Sequence, residues 1–205
     1  MMPPRHVTLA LTGASGVQYG LRLLEVLLGS RIRCSLLISK PAQVVIGMET
    51  DLDLPGRPAE QRRWLAERFN ADPELLQVYG QEQWTAPIAS GSAVADAMVV
   101  CPCTTGTLCN IAGGASRNLI ERAADVSIKE RRPLILVLRE TPLSSIHLEH
   151  MLRLSQAGAT IMPASPGFYH RPERLQDLVD FLVARILDHL HVEHELMPPW
   201  GAESS

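Results

Sequence analysis

Four short apolar runs, HVTLALT (6–12), RCSLLIS (33–39), AMVVC (97–101) and PLILVL (133–138), alternate along this chain with segments of helical periodicity. Each run is bounded by turn signals and contains too few polar positions to alternate, which is the pattern of a strand buried on both faces. Between and after them, Val17 to Leu28 places apolar residues at Leu21, Leu24 and Leu28, and Arg62 to Phe69 forms a shorter helical piece. In the last helical segment Leu175, Leu178, Val179, Leu182, Val183, Ile186, Leu187 and Leu190 recur at spacings of three and four. Strand alternating with helix predicts a three-layer α/β fold with a mainly parallel central sheet covered on both faces.

The chain has 205 residues, 46% of them hydrophobic, enough for one core that buries about 70% of the unfolded surface. The stretch ETDLDLPGRPAEQ is too short to separate two domains, so a single domain over 1–190 and a tail over 191–205 are expected. Net charge is −3 with lysines and arginines scattered among the acids, which speaks against a nucleic-acid partner. MMPPRHVTLALTG is too brief an apolar run for a signal segment or a membrane span, and four cysteines without a leader point to a reducing compartment, hence a cytoplasmic protein.

In a sheet of this kind ligands bind beyond the carboxyl ends of the strands. Those ends read TGASG, ISKP, CPCTTGT and LRETP, all supplying small residues, hydroxyls or a charge. TGASGVQYG suits close approach of a phosphate or a flat ring, yet it lacks a full G-x-G-x-x-G spacing and fits a tight strand-to-helix turn equally well. CPCTTGTLC has neither paired C-x2-C knuckles nor a nearby histidine. It reads as an anion loop, with Thr104, Thr105 and Thr107 at a helix start and the cysteines as packing residues. No metal is expected.

Arg122 and Lys129 stand seven residues apart, two turns along one helix face; beside Arg139 and Glu140 they would grip a second phosphate, or else form a solvated charged face. His189, His191 and His194, like His147 and His150, read as solvated helix residues rather than ligands. Trp84 and Trp200 fit either a cover over an exposed ring or a subunit contact.

Taken together, LTGASGVQYG, CPCTTGTLCNIAGGASRNLIERAADVSIKERRPLILVLRETPLS and ASPGFYHRPERLQDLVDFLVARILD resemble the flavin prenyltransferase family, UbiX, over about Val7 to Leu190. The resemblance implies a Rossmann-like, flavodoxin-like fold and an FMN site formed where subunits meet in a homo-oligomer, a dodecamer. It implies transfer of the dimethylallyl group of dimethylallyl phosphate to N5 and C6 of reduced FMN; with no acidic metal cluster apparent in the sequence, the transfer is expected to be metal-independent. Prenylated FMN would then serve a UbiD-type decarboxylase, as in ubiquinone biosynthesis. FMN contacts carry over to Gly13, Ala14, Ser15, Ser39, Thr104, Thr105, Gly106, Thr107 and Arg139. Prenyl phosphate contacts carry over to Tyr169 and Arg185, from a neighbouring subunit, with Arg122 and Lys129 added by the two-turn argument. Ser15, Glu49 and Glu140 are the expected catalytic residues, Glu140 near the leaving group and Glu49 nearer the flavin. The rival readings are an FMN-dependent cysteine decarboxylase, against which LRETPLSSIHLEH lacks the asparagine motif after the fourth strand, and a non-catalytic flavin carrier, against which stand the TGASG loop and the mild charge.

Overall fold

A computed structural model describes residues 2–198. Six strands form one sheet: β1 (His6–Leu11), β2 (Arg33–Ile38), β3 (Leu76–Tyr79), β4 (Ala97–Cys103), β5 (Leu134–Leu138) and β6 (Thr160–Pro163). Their order is β3-β2-β1-β4-β5-β6 and every adjacent pair is parallel. The helices are α1 (Val17–Gly29), α2 (Lys40–Glu49), α3 (Pro58–Arg68), α4 (Thr105–Ala112), α5 (Leu119–Lys129), α6 (Ser145–Gln156) and α7 (Leu175–Leu190).

The four apolar runs become β1, β2, β4 and β5, the four central strands, and each is buried almost throughout. Thr12 and Ser39, the last residues of two runs, already belong to the loops that follow. Edge strands β3 and β6 extend the sheet beyond the expected four.

Because side chains alternate across a strand, the sheet divides the interior into two cores. Leu9, Leu11, Val99 and Cys101 face α1 and α7, meeting Leu23, Leu24, Leu27, Val183, Ile186 and Leu187. Ala10, Met98 and Val100 face α4 and α5, meeting Leu108, Ile111, Leu119 and Ala123. The β4–β5 register shifts between Val100 and Cys103, around the cis Cys101–Pro102 bond. Cys103 therefore returns to the face of Met98 and Val100 despite its odd spacing, as one extra residue in a strand dictates.

The first helix lies against the end of β4. A Cβ on Gly20 would sit 2.2 Å from the Cys101 carbonyl oxygen, so only glycine permits this approach. On the outside, Val44 and Met48 of α2 are 63% and 79% exposed, and Ile146 and Leu152 of α6 are each 59% exposed. These two helices keep apolar side chains that the other described residues do not cover. Among the described residues, no helix is long and apolar enough to cross a membrane.

Candidate active site

The strand order reverses between β1 and β4, which separates the two loops there and opens a crevice at their carboxyl ends. Thr12, 2% exposed, ties the loops together. Its hydroxyl donates to the Pro102 carbonyl at 2.8 Å and accepts the Thr104 N–H at 2.8 Å, while its own N–H reaches the Pro102 oxygen at 3.1 Å.

Gly13, Ala14 and Ser15 form the β1–α1 loop, which ends at Gly16 in the left-handed region (φ 96°). A Cβ on Gly13 would meet the Pro41 Cβ at 2.4 Å, so the loop is pressed against the start of α2. The Glu49 carboxylate, at the far end of α2, accepts the Gly16 and Val17 N–H groups at 2.8 and 3.3 Å. It thereby caps α1 with a negative charge where the helix dipole favours one. Ser39 caps α2, its hydroxyl accepting the Ala42 N–H at 3.1 Å.

On the other side of the crevice, Thr104 caps α4: its Oγ1 accepts the Thr107 N–H at 3.1 Å and donates to Thr107 Oγ1 at 3.0 Å. The helix opens on Thr105 and Gly106, whose N–H groups precede the first helical bond and point at the crevice. Thr105 Oγ1 lies 3.4 Å from Glu140 Oε2, bringing the β4 and β5 loops together. Arg139 follows β5, and its N–H holds the Cys103 carbonyl at 3.2 Å. Its guanidinium Nε is buried without a hydrogen-bond partner among the described residues. A buried cationic donor beside free helix N–H groups and three threonine hydroxyls is an arrangement that an anion completes. A glycine-lined loop opposite admits a flat ring. The residues present thus fit a flavin mononucleotide.

The cysteines of this loop stay out of the chemistry. Burial pushes the Cys103 thiol up to about 12 and the Cys101 thiol higher, leaving both neutral packing groups. Among the described residues, no three His, Cys, Asp or Glu side chains converge as metal ligands.

The remaining expected site residues lie elsewhere. Tyr169 and Arg185 share one cavity of about 750 Å³ beside α7, none of whose lining residues comes from the loops after β1, β2, β4 or β5. Arg122 and Lys129 do share a face of α5, as the spacing predicts. Arg122 Nε donates to the Ala89 carbonyl at 3.0 Å and its Nη1 to Asp125 at 2.9 Å, while Lys129 pairs with Glu130 beside Gly91. The idea that they stand next to Arg139 and Glu140 needs correction within one chain. Lys129 precedes β5 and Arg139 follows it, so about 16 Å of strand separates them. His189 and His191 are exposed, as expected, whereas His147 joins a capping box with Ser144 and His194 bonds Asp188 at 3.1 Å. Trp84 is half-exposed, and Trp200 lies outside the described residues. Sequence reasoning missed Thr12, whose signal was a polar residue ending an otherwise apolar strand run.

Comparison with known proteins agrees with this geometry. The Flavoprotein family model matches residues 1–187. A flavin prenyltransferase UbiX of Pseudomonas aeruginosa is 55% identical over 203 residues, covering 99% of this chain and 97% of that protein. The solved structure of AnUbiX in complex with FMN and dimethylallyl pyrophosphate superposes with a TM-score of 0.86 at 39% identity, over 98% of this chain and 99% of the other. A dodecameric FMN-dependent UbiX-like decarboxylase from Escherichia coli superposes at 0.85 with 37% identity, over 96% and 100%.

Proposed function

The chain belongs to the flavoprotein family, among its UbiX flavin prenyltransferases, and from that membership we propose how its own residues carry the reaction. It is an FMN-dependent prenyltransferase that joins the dimethylallyl group of dimethylallyl phosphate to N5 and C6 of reduced FMN. The observation that carries this reading is the crevice between β1 and β4, with the threonine-rich start of α4 after β4 and, after neighbouring β5, Arg139, whose buried Nε has no hydrogen-bond partner among the described residues.

Reduced FMN, when bound, supplies an electron-rich ring as the prenyl acceptor. Its phosphate suits the N–H groups of Thr105 and Gly106 and the hydroxyls of Thr104, Thr105 and Thr107, with Arg139 adding charge. Gly13, Ala14 and Ser15 give the ring a backbone wall without side-chain obstruction, and Ser39 closes the site at α2. A phosphate departs readily only if donors take up its developing charge and a proton is at hand. Tyr169, Arg185, Arg122 and Lys129 are the donors in this reading. They lie away from the crevice of their own chain, so neighbouring subunits bring them to it. The uncovered apolar faces of α2 and α6 support a homo-oligomer, a dodecamer as in the Escherichia coli relative. Glu140, held toward Thr105 at the mouth, moves a proton near the leaving phosphate. Glu49 and Ser15 act on the flavin side.

Three cationic side chains and a tyrosine hydroxyl do what magnesium does in aspartate-rich prenyltransferases, so turnover is independent of metal; loss with chelator and recovery with magnesium would contradict this. The product, prenylated FMN, passes to a UbiD-type decarboxylase in the cytoplasm. The direct test is the mass of flavin released after anaerobic incubation with reduced FMN and dimethylallyl phosphate. A gain of one five-carbon unit is expected. Unchanged flavin, with both ligands shown to bind, would favour a cysteine decarboxylase instead.

A further inference from the structure

The cavity beside α7 contains a hydrogen-bonded chain that the proposed reaction does not yet use. Arg185 Nη1 donates to Asp188 Oδ2 at 2.6 Å, and the other carboxylate oxygen, Oδ1, lies 3.1 Å from His194 Nε2. The backbone makes this possible. α7 ends at His191 in the left-handed conformation (φ 57°), the Val192 N–H returns to the Leu187 carbonyl at 3.0 Å, and the chain folds back so that His194 reaches a residue one turn inside the helix.

Two features set this chain apart from an ordinary surface ion pair. The His194 side chain is only 10% exposed although Arg185 and Asp188 are each about half-exposed. Its Nδ1 is buried with no hydrogen-bond partner among the described residues. Facing a carboxylate, Nε2 donates, which leaves Nδ1 as a buried polar atom without a partner. Native packing tolerates such an atom rarely, and an exposed Arg–Asp pair alone gives no reason to bury an imidazole behind it.

We infer that Asp188 and His194 are positioning residues that fix the Arg185 guanidinium for the phosphate of the prenyl donor. This rests on the reading of Arg185 as a phosphate ligand. Of the five guanidinium N–H groups, Asp188 takes one and so sets the plane, leaving the rest for an incoming oxyanion. A bare carboxylate beside that oxyanion would repel it. His194 engages the second oxygen, draws the carboxylate toward α7 and keeps it from turning into the cavity. Tyr169, edge-on to His170 and Phe181 at 5.1 and 5.7 Å, forms the aromatic wall on the other side.

The test is steady-state kinetics of the full chain in its native assembly, with reduced FMN saturating and dimethylallyl phosphate varied. Arg185→Ala serves as benchmark, and FMN affinity reports that the crevice is intact. His194→Ala and Asp188→Asn are each expected to raise KM for dimethylallyl phosphate about tenfold, the scale of one charge-assisted hydrogen bond, with kcat within about twofold and FMN affinity unchanged. His194→Gln, whose side-chain amide can donate to the same oxygen, should recover most of the loss, which a purely structural histidine would not predict. If Arg185→Ala raises KM while His194→Ala and Asp188→Asn leave it unchanged or lower it, the inference is wrong. If Arg185→Ala itself leaves KM unchanged, the assignment of Arg185 falls, and the positioning pair falls with it.

Discussion

Replacing Thr12 with valine preserves its shape and removes its hydrogen bonds. In the wild type the hydroxyl gives one bond to the Pro102 carbonyl and takes one from the Thr104 N–H, both at 2.8 Å, from a side chain 2% exposed. The Pro102 oxygen keeps the Thr12 N–H at 3.1 Å, so its loss is about 1 kcal/mol, one net hydrogen bond. The part-buried Thr104 N–H has no other partner among the described residues and is left unsatisfied, at a cost of about 1–3 kcal/mol. A methyl in place of the hydroxyl returns somewhat under 1 kcal/mol of apolar burial. The net is a destabilisation of about 1–3 kcal/mol, or about 2–12 °C in Tm for a chain of this size. Thr12→Ser is the control. It keeps both bonds and deletes one buried methyl, about 1 kcal/mol, so it should be the milder change although valine is closer in volume. Thermal unfolding of both variants at one protein concentration, with an FMN titration beside it, decides the matter. Thr104 Oγ1 and the first turn of α4 hang from this tie, so the valine variant should also bind FMN about tenfold more weakly. A valine variant as stable as the serine one, with wild-type FMN affinity, would refute the account.

The Gly13→Ala change drives a methyl to within 2.4 Å of the Pro41 Cβ and should cost about 1–3 kcal/mol and lower FMN affinity at least as much as Thr12→Val does, read by the same two assays. Glu140→Gln should slow single-turnover prenyl transfer by about a hundredfold with FMN binding unchanged, the scale of one general acid; a full rate would remove Glu140 from the mechanism. Burial, reinforced by Arg33, holds the His6 imidazole below its ordinary 6.5 despite Asp96, and its Nε2 stays 2.8 Å from Ser35 Oγ. The unfolded chain therefore binds this proton first, and stability should decline as pH falls below about 6.5 until the folded-state value is passed. His6→Gln should flatten the Tm profile between pH 7.5 and 5.5; parallel profiles would show that His6 contributes nothing to it.

Elements buried on both faces were legible from residue order alone, since β1, β2, β4 and β5 read as unbroken apolar runs. The edge strands did not announce themselves. LQVY and TIMP are four residues long and half-buried, and with a neighbour on one side only they need no apolar run. Helices α2 and α6 were hidden for a related reason. α2 buries only Ala42 and Ile46, and α6 only Leu154, while Val44, Met48, Ile146 and Leu152 point outward, so neither shows one clean apolar stripe. The strand-end loops of the site were readable because fold topology places them together regardless of detail. The grouping of Arg122 and Lys129 with Arg139 was not, because helix spacing fixes which residues share a face and says nothing about which end of the next strand that face adjoins. The bond from His194 to Asp188 depends on a chain reversal at His191, a non-glycine residue in a left-handed conformation that composition gives no reason to expect.

Three thiols lie in the interior, two of them on the strand that opens the flavin crevice. Reduced flavin exposed to oxygen produces peroxide, which attacks thiolates and spares thiols. With burial pushing Cys34 and Cys103 to about 12 and Cys101 beyond, these side chains stay thiols at neutral pH. Sulfur that would be a liability beside a redox cofactor is kept chemically silent by the same packing that shapes the loop. Oxidative damage to this enzyme should then appear first at the half-buried Cys109 and at exposed Met48, leaving the crevice among the last parts to age.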